Sequence, residues 1–92
     1  LDVADIHTHT ARRWGWEQAD RYVQFVLGEA LKAAAGEKKR KVVPYRPGRF
    51  YITARWQKSK AGHRIVYEII PNGIFVVRVL HTSMDWLRHI KR

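Results

Sequence analysis

The dipeptide Asn72-Gly73 stands between two eight-residue runs, His63–Ile70 (HRIVYEII) and Ile74–His81 (IFVVRVLH), and no other feature narrows the fold as far. Asn-Gly suits the positive-φ positions of a tight two-residue hairpin turn, and both runs are rich in the β-branched residues that strands favour. A turn at Asn72-Gly73 fixes a register. On one face it sets Ile70 opposite Phe75, Val66 opposite Val79 and Arg64 opposite His81. On the other it sets Ile69 opposite Val76, Tyr67 opposite Arg78 and Ile65 opposite Leu80. Both faces are apolar in the middle, as expected of a hairpin covered on two sides. Phe50–Gln57 (FYITARWQ) reads as a third strand, joined through the turn-like Lys58–Gly62 (KSKAG).

Upstream the hydrophobic period changes. Ala19, Tyr22, Val23, Val26, Leu27, Ala30, Leu31 and Ala34 recur at helical spacing, which predicts a helix from Trp16 to Ala35. Glu17 and Asp20 fall in its first turn, where the helix dipole favours acids, and Gly36 is a natural residue just past its end. A first helix from Asp2 to Arg13 carries Val3, Ile6 and Thr10, and Gly15 breaks it and caps the second. Leu1 reads as lying inside that first helix, which predicts an upstream segment outside the numbering. Pro44, Pro47 and Gly48 forbid a helix after the basic run Lys38-Lys39-Arg40-Lys41, so that stretch reads as an ordered loop. In the tail, Met84, Leu87 and Ile90 predict a short helical turn. The layout is α+β: an αα-hairpin packed on a three-stranded antiparallel sheet.

A chain of 92 residues fits a single domain, residues 1–92, with a core of its own. It has no cysteine, which excludes a disulfide scaffold and thiolate metal sites and fits a reducing, cytoplasmic setting. No apolar run reaches the length that spans a bilayer, so a soluble protein is expected. Eighteen Lys and Arg against eight Asp and Glu leave a net charge of +10, which predicts polyanionic partners.

Chemistry is sparse. No Gly-rich phosphate loop, serine elbow or deaminase signature occurs, and neither a metal nor a cofactor is expected. His81, Asp85 and His89 recur every four residues, but His81 ends a strand, which breaks the helical geometry a metal site on one face would need. His7 and His9 point to different sides of a helix. The expected juxtaposition of Arg64 and His81 is the sharper candidate. An Arg for a phosphate beside a His that moves protons is the minimum apparatus for cleaving RNA, and Arg49 and Glu68 would add a second cation and a base. Four tryptophans, Trp14, Trp56, Trp16 and Trp86, are many for this length; those left exposed would mark a partner surface.

Taken together, these segments resemble the ParE toxins of the RelE/ParE superfamily. Arg13-Trp14-Gly15, Gln18-Ala19 and Tyr22 are similar to the family's helical hairpin, and His63-Arg64-Ile65-Val66-Tyr67 to its third strand. Arg78-Val79-Leu80-His81 followed by Ser83-Met84-Asp85 resembles its closing signature. The resemblance covers nearly the whole chain. It implies a sheet whose first strand lies upstream of Leu1, giving four strands in all.

It also implies a function: the toxin of a type II toxin–antitoxin module of the plasmid-stabilising kind, wrapped and silenced by a ParD-like antitoxin. Two targets stand open, DNA gyrase for the ParE branch and messenger RNA on the ribosome for the RelE branch. A DNA-binding or structural module is a third class. No tyrosine follows Tyr67, so the tail lacks the acid–base group of the nuclease branch, and the leading expectation is a gyrase-binding toxin without catalysis. Arg64 and His81 are the catalytic candidates if the protein is an endoribonuclease. Trp14, Trp56, Arg64 and Arg78 are the expected antitoxin contacts, and Met84, Asp85, Trp86 and Arg88 the expected target contacts. DNA is expected to be reached only through the antitoxin.

Overall fold

Helix α1 spans Asp2–Trp14 and helix α2 spans Trp16–Ala34, with only Gly15 between them. Gly15 holds φ at 92°, a conformation in which a side chain would be strained, and so lets the chain turn within one residue. It caps α2 without any side-chain hydrogen bond, its carbonyl taking the Ala19 N–H at 3.1 Å. At the far end Gly36, at φ 77°, closes the helix: its N–H donates to the Ala33 carbonyl and the Glu37 N–H to the Lys32 carbonyl, at 3.1 and 2.9 Å. That pair of bonds is a Schellman motif, which satisfies the last carbonyls of the helix. The computed structural model describes residues 2–56 and 62–83.

Among the described residues four strands follow: β1 Lys41–Val42, β2 Arg49–Ala54, β3 His63–Ile70 and β4 Gly73–His81. They form one antiparallel sheet in the order β1-β2-β3-β4. The α+β architecture expected from the sequence holds, and the stretch read as loop contains a further short strand, β1. Pro44 confines it to two residues: the position before a proline favours extended backbone, and the proline itself cannot donate to a ladder. β2 ends at Ala54, three residues short of the expected Gln57.

Side chains sort onto the two faces of the sheet. On the helix side Ile52, Ala54, Ile65, Tyr67 and Val79 pack with Ile6, Val26 and Ala33 from the helices. On the opposite side Val43, Val66 and Leu80 form a smaller buried cluster with Tyr51 and Val77. The buried line of α2 runs through Ala19, Val26, Glu29 and Ala33, whereas Leu27 and Leu31 of the expected stripe are exposed, Leu31 by 72%. The carboxylate of Glu29 lies on this line because Lys38 and Lys32 reach it at 3.0 and 3.3 Å.

The β3–β4 register departs from the expected one. The loop is Pro71-Asn72, with Ile70 paired to Gly73 and Tyr67 to Val76. The register then shifts, leaving Val77 as an extra residue, so that Val66 pairs with Arg78, Ile65 with Val79, Arg64 with Leu80 and His63 with His81. Pro71 supplies the fixed φ that suits the first loop position, which moves the turn one residue earlier than Asn72-Gly73 alone suggests. The β-bulge at Val77 moves the far half of the ladder back by one, so that it ends one residue from the expected register.

Candidate functional site

Where α1 crosses the open end of the β3–β4 hairpin, two adjoining clefts of about 440 and 480 Å³ share His9, Thr10, His63 and His81 as walls. Asp5, Arg78 and Ser83 complete the first. Arg13, Trp14, Tyr22 and Trp56 line the second.

The wall of the second cleft is an aromatic stack. Trp56, half-buried after the end of β2, meets Phe25 edge-on at 5.2 Å and Tyr22 at 6.0 Å. The Tyr22 hydroxyl donates to Nδ1 of His63, whose ring stands edge-on to that of His81 at 5.1 Å. Burial pushes the Tyr22 phenol up. Burial also lowers His63 to about 4, assisted by the positive charge that His81 and His9 would carry. His63 is therefore neutral at physiological pH, with its Nδ1 lone pair engaged by the phenol. His81 is anchored from its own chain: Ser83 N–H donates to its Nδ1 at 3.0 Å, and Ser83 Oγ lies 2.6 Å from the same atom.

The sequence expectation for catalysis is corrected here. Arg64 pairs with Leu80 and shares the face of Val66, while His81 pairs with His63 on the helix side. The two residues lie on opposite faces of the sheet, because the shifted register sets them one residue out of opposition. The Arg64 guanidinium donates to the Thr82 carbonyl at 3.1 Å. Arg49 and Glu68 form an ion pair with each other at 2.9 Å, toward the other end of β3.

Trp14 and Trp56 do come together as walls of one cleft, whereas Arg78, at the rim of its neighbour, pairs with Val66 and so shares with Arg64 the face away from the helices. Trp14 is 65% exposed, with the Arg13 guanidinium 5.5 Å above its ring. Trp16 is exposed too and carries His7, which is held by Asp20 at 2.8 Å. Trp86, with Met84, Asp85, Arg88 and His89, lies outside the described residues. Sequence reasoning missed His9, Tyr22 and His63 as site residues. His63 opens β3 and His81 closes β4, and a correct hairpin register would have paired them. Among the described residues no group of three His, Cys, Asp or Glu is placed to hold a metal ion, and no helix is long and apolar enough to cross a membrane.

Comparison with curated proteins finds no match. Residues 1–86 match the family model described as "ParE toxin of type II toxin-antitoxin system, parDE". That match takes in both helices, the whole sheet and both clefts, and it brings a cognate antitoxin as the expected partner. The chain belongs to the ParE family of type II toxins.

Proposed function

We propose that this protein is a single-domain cytoplasmic toxin that arrests growth by binding DNA gyrase, and that a ParD-like antitoxin silences it. The observation that carries a binding mechanism is the separation of Arg64 from His81 on opposite faces of the sheet. A phosphate-holding cation and a proton-moving histidine act together only within reach of one substrate atom. His63, beside His81, is neutral with its Nδ1 engaged, which makes it a poor acid.

The antitoxin takes the cleft walled by Trp14 and Trp56; Arg64 and Arg78 are reached by a partner that wraps round to the opposite face. Met84, Asp85, Trp86 and Arg88 are the proposed contacts to the target. The alternative is a ribosome-dependent nuclease, in which His81 and His9, walls of the same cleft, would carry the proton transfer.

One experiment separates the two. Growth arrest is scored for the wild type and for His81→Gln, beside supercoiling by purified gyrase and primer extension on messenger RNA. A gyrase-binding toxin keeps its killing in His81→Gln and inhibits supercoiling. Loss of killing, unaffected supercoiling and ribosome-dependent cuts in messenger RNA would replace gyrase with the ribosome. Co-expression with the neighbouring short reading frame tests the antitoxin: the two proteins co-elute at moderate salt, and elution of the toxin alone overturns that pairing.

A further inference from the structure

The charge of this chain is not spread over it. Residues 38–67 hold ten of the eighteen Lys and Arg and none of the eight Asp and Glu, so this stretch accounts for the entire net +10. The rest of the chain balances at eight against eight. In the fold the described part of the stretch is the loop before β1, then β1, β2 and the first five residues of β3, one side of the sheet. Lys39, Arg40, Lys41 and Arg55 are exposed. Lys41 pairs with Tyr51, which pairs with Val66, placing Lys41 on the face away from the helices, where Arg49 and Arg64 also lie. Carboxylates from outside the stretch meet Lys38 and Arg49, at 3.0 and 2.9 Å. Lys39 in the loop and Lys41 in β1 are exposed beside that face, while the Arg40 guanidinium lies over Phe50 on the helix side.

We propose that the free toxin binds duplex DNA without sequence preference, through phosphate contacts from Lys39 and Lys41 and the adjoining outer face of the sheet. A dense, acid-free run of cations on one side of a small domain is the electrostatic footprint of backbone binding. Single strands are held differently, by stacking bases on several open aromatic rings. Here Phe50 lies under the Arg40 guanidinium at 4.6 Å, Tyr67 is buried and Trp56 is packed in the cleft wall. Tyr45 is 78% exposed and Tyr51 partly exposed, too little ring surface for a stacking platform. The aromatic cleft proposed for the antitoxin is on the helix side, and only an antitoxin segment that wraps round to Arg64 would share the face proposed for DNA. This proposal stands whether gyrase or the ribosome is the target, and it departs from the expectation that DNA is reached only through the antitoxin.

The test is fluorescence anisotropy of a labelled 20-base-pair duplex of arbitrary sequence, titrated with the full chain at several salt concentrations. For three to five phosphates neutralised, log K falls with log salt at a slope of about −3 to −4.5. Replacing both exposed lysines (Lys39→Gln with Lys41→Gln) reduces that slope by about 2. The control Arg12→Gln with Arg21→Gln removes the same charge from exposed helix positions and leaves the slope unchanged. Matching thermal melts establish that both variants are folded. Equal effects of the two variants, tighter binding of single-stranded DNA or RNA of the same length, equal binding of a polyglutamate peptide, or no binding at about 50 mM salt would each overturn the proposal.

Discussion

The bond from the Tyr22 hydroxyl to Nδ1 of His63 joins the middle of α2 to the first residue of β3. It needs a neutral imidazole, and burial, with His81 and His9 nearby, keeps His63 neutral down to about 4. The unfolded chain takes up that proton near pH 6.5. Between pH 6.5 and 4 the unfolded state therefore binds more protons, and stability falls as the pH drops through that window, then levels. The ring is partly open to solvent, which limits the loss to about 1–2 kcal/mol. Urea midpoints measured from pH 7 to 4 should decline for the wild type and stay flatter for His63→Gln, which keeps an acceptor for Tyr22 and cannot titrate.

Glu29 titrates with the opposite sign. Burial alone would raise its carboxyl, but the ammonium groups of Lys38 and Lys32 outweigh burial and hold it below the ordinary range. Its contribution is complete above about pH 4.3 and is lost as the pH falls through the lowered value. Glu29→Gln is expected to cost about 1–2 kcal/mol at pH 7, and the difference from wild type should close in strong acid. A gap that persisted at low pH would mean that packing, not charge, sets the cost.

Trp14 and Trp56 line the same cleft, yet their replacement by alanine should have opposite consequences. Trp14 is 65% exposed, so Trp14→Ala should leave stability within about 0.5 kcal/mol while weakening antitoxin binding about tenfold or more. Trp56 packs on Phe25 and Tyr22, so Trp56→Ala should cost about 2–3 kcal/mol of stability. Thermal melts and calorimetric titration with the antitoxin separate the two effects.

Gly62 is buried at the end of the sheet, where its N–H donates to Thr82 Oγ1 at 3.1 Å and its carbonyl takes the Thr82 N–H at 2.9 Å. A Cβ at this position would collide with the backbone carbonyl of Ala54. Gly62→Ala should destabilise the fold by about 2–3 kcal/mol, because backbone rather than a flexible side chain must move. An unchanged melting temperature would show that the β2–β3 connection yields more easily than this contact implies.

The helices and the identity of the three long strands were legible because each rests on local signals: the helical period, the glycines at positions 15 and 36, and β-branched runs. The site was less so. Its geometry depends on which residues of β3 and β4 face each other, and two non-local details decide that. Pro71 competes with Gly73 for the turn, and the bulge at Val77 has no mark in a run that reads Val-Val-Arg-Val. The two small offsets converted an expected Arg64–His81 pair into the observed His63–His81 pair. Lys41–Val42 escaped notice for a related reason: two residues before a proline carry no period at all.

The extra residue at Val77 also bears on how the strand avoids slipping. In an unbroken ladder continued from the Pro71-Asn72 loop, Arg78 and Leu80 would turn toward the helices, and Val79 and His81 would turn away. A guanidinium would then sit where the core has Val79. The bulge thus makes the sliding of β4 by one residue a costly misalignment, and it leaves the hairpin with one deep minimum rather than two competing ones.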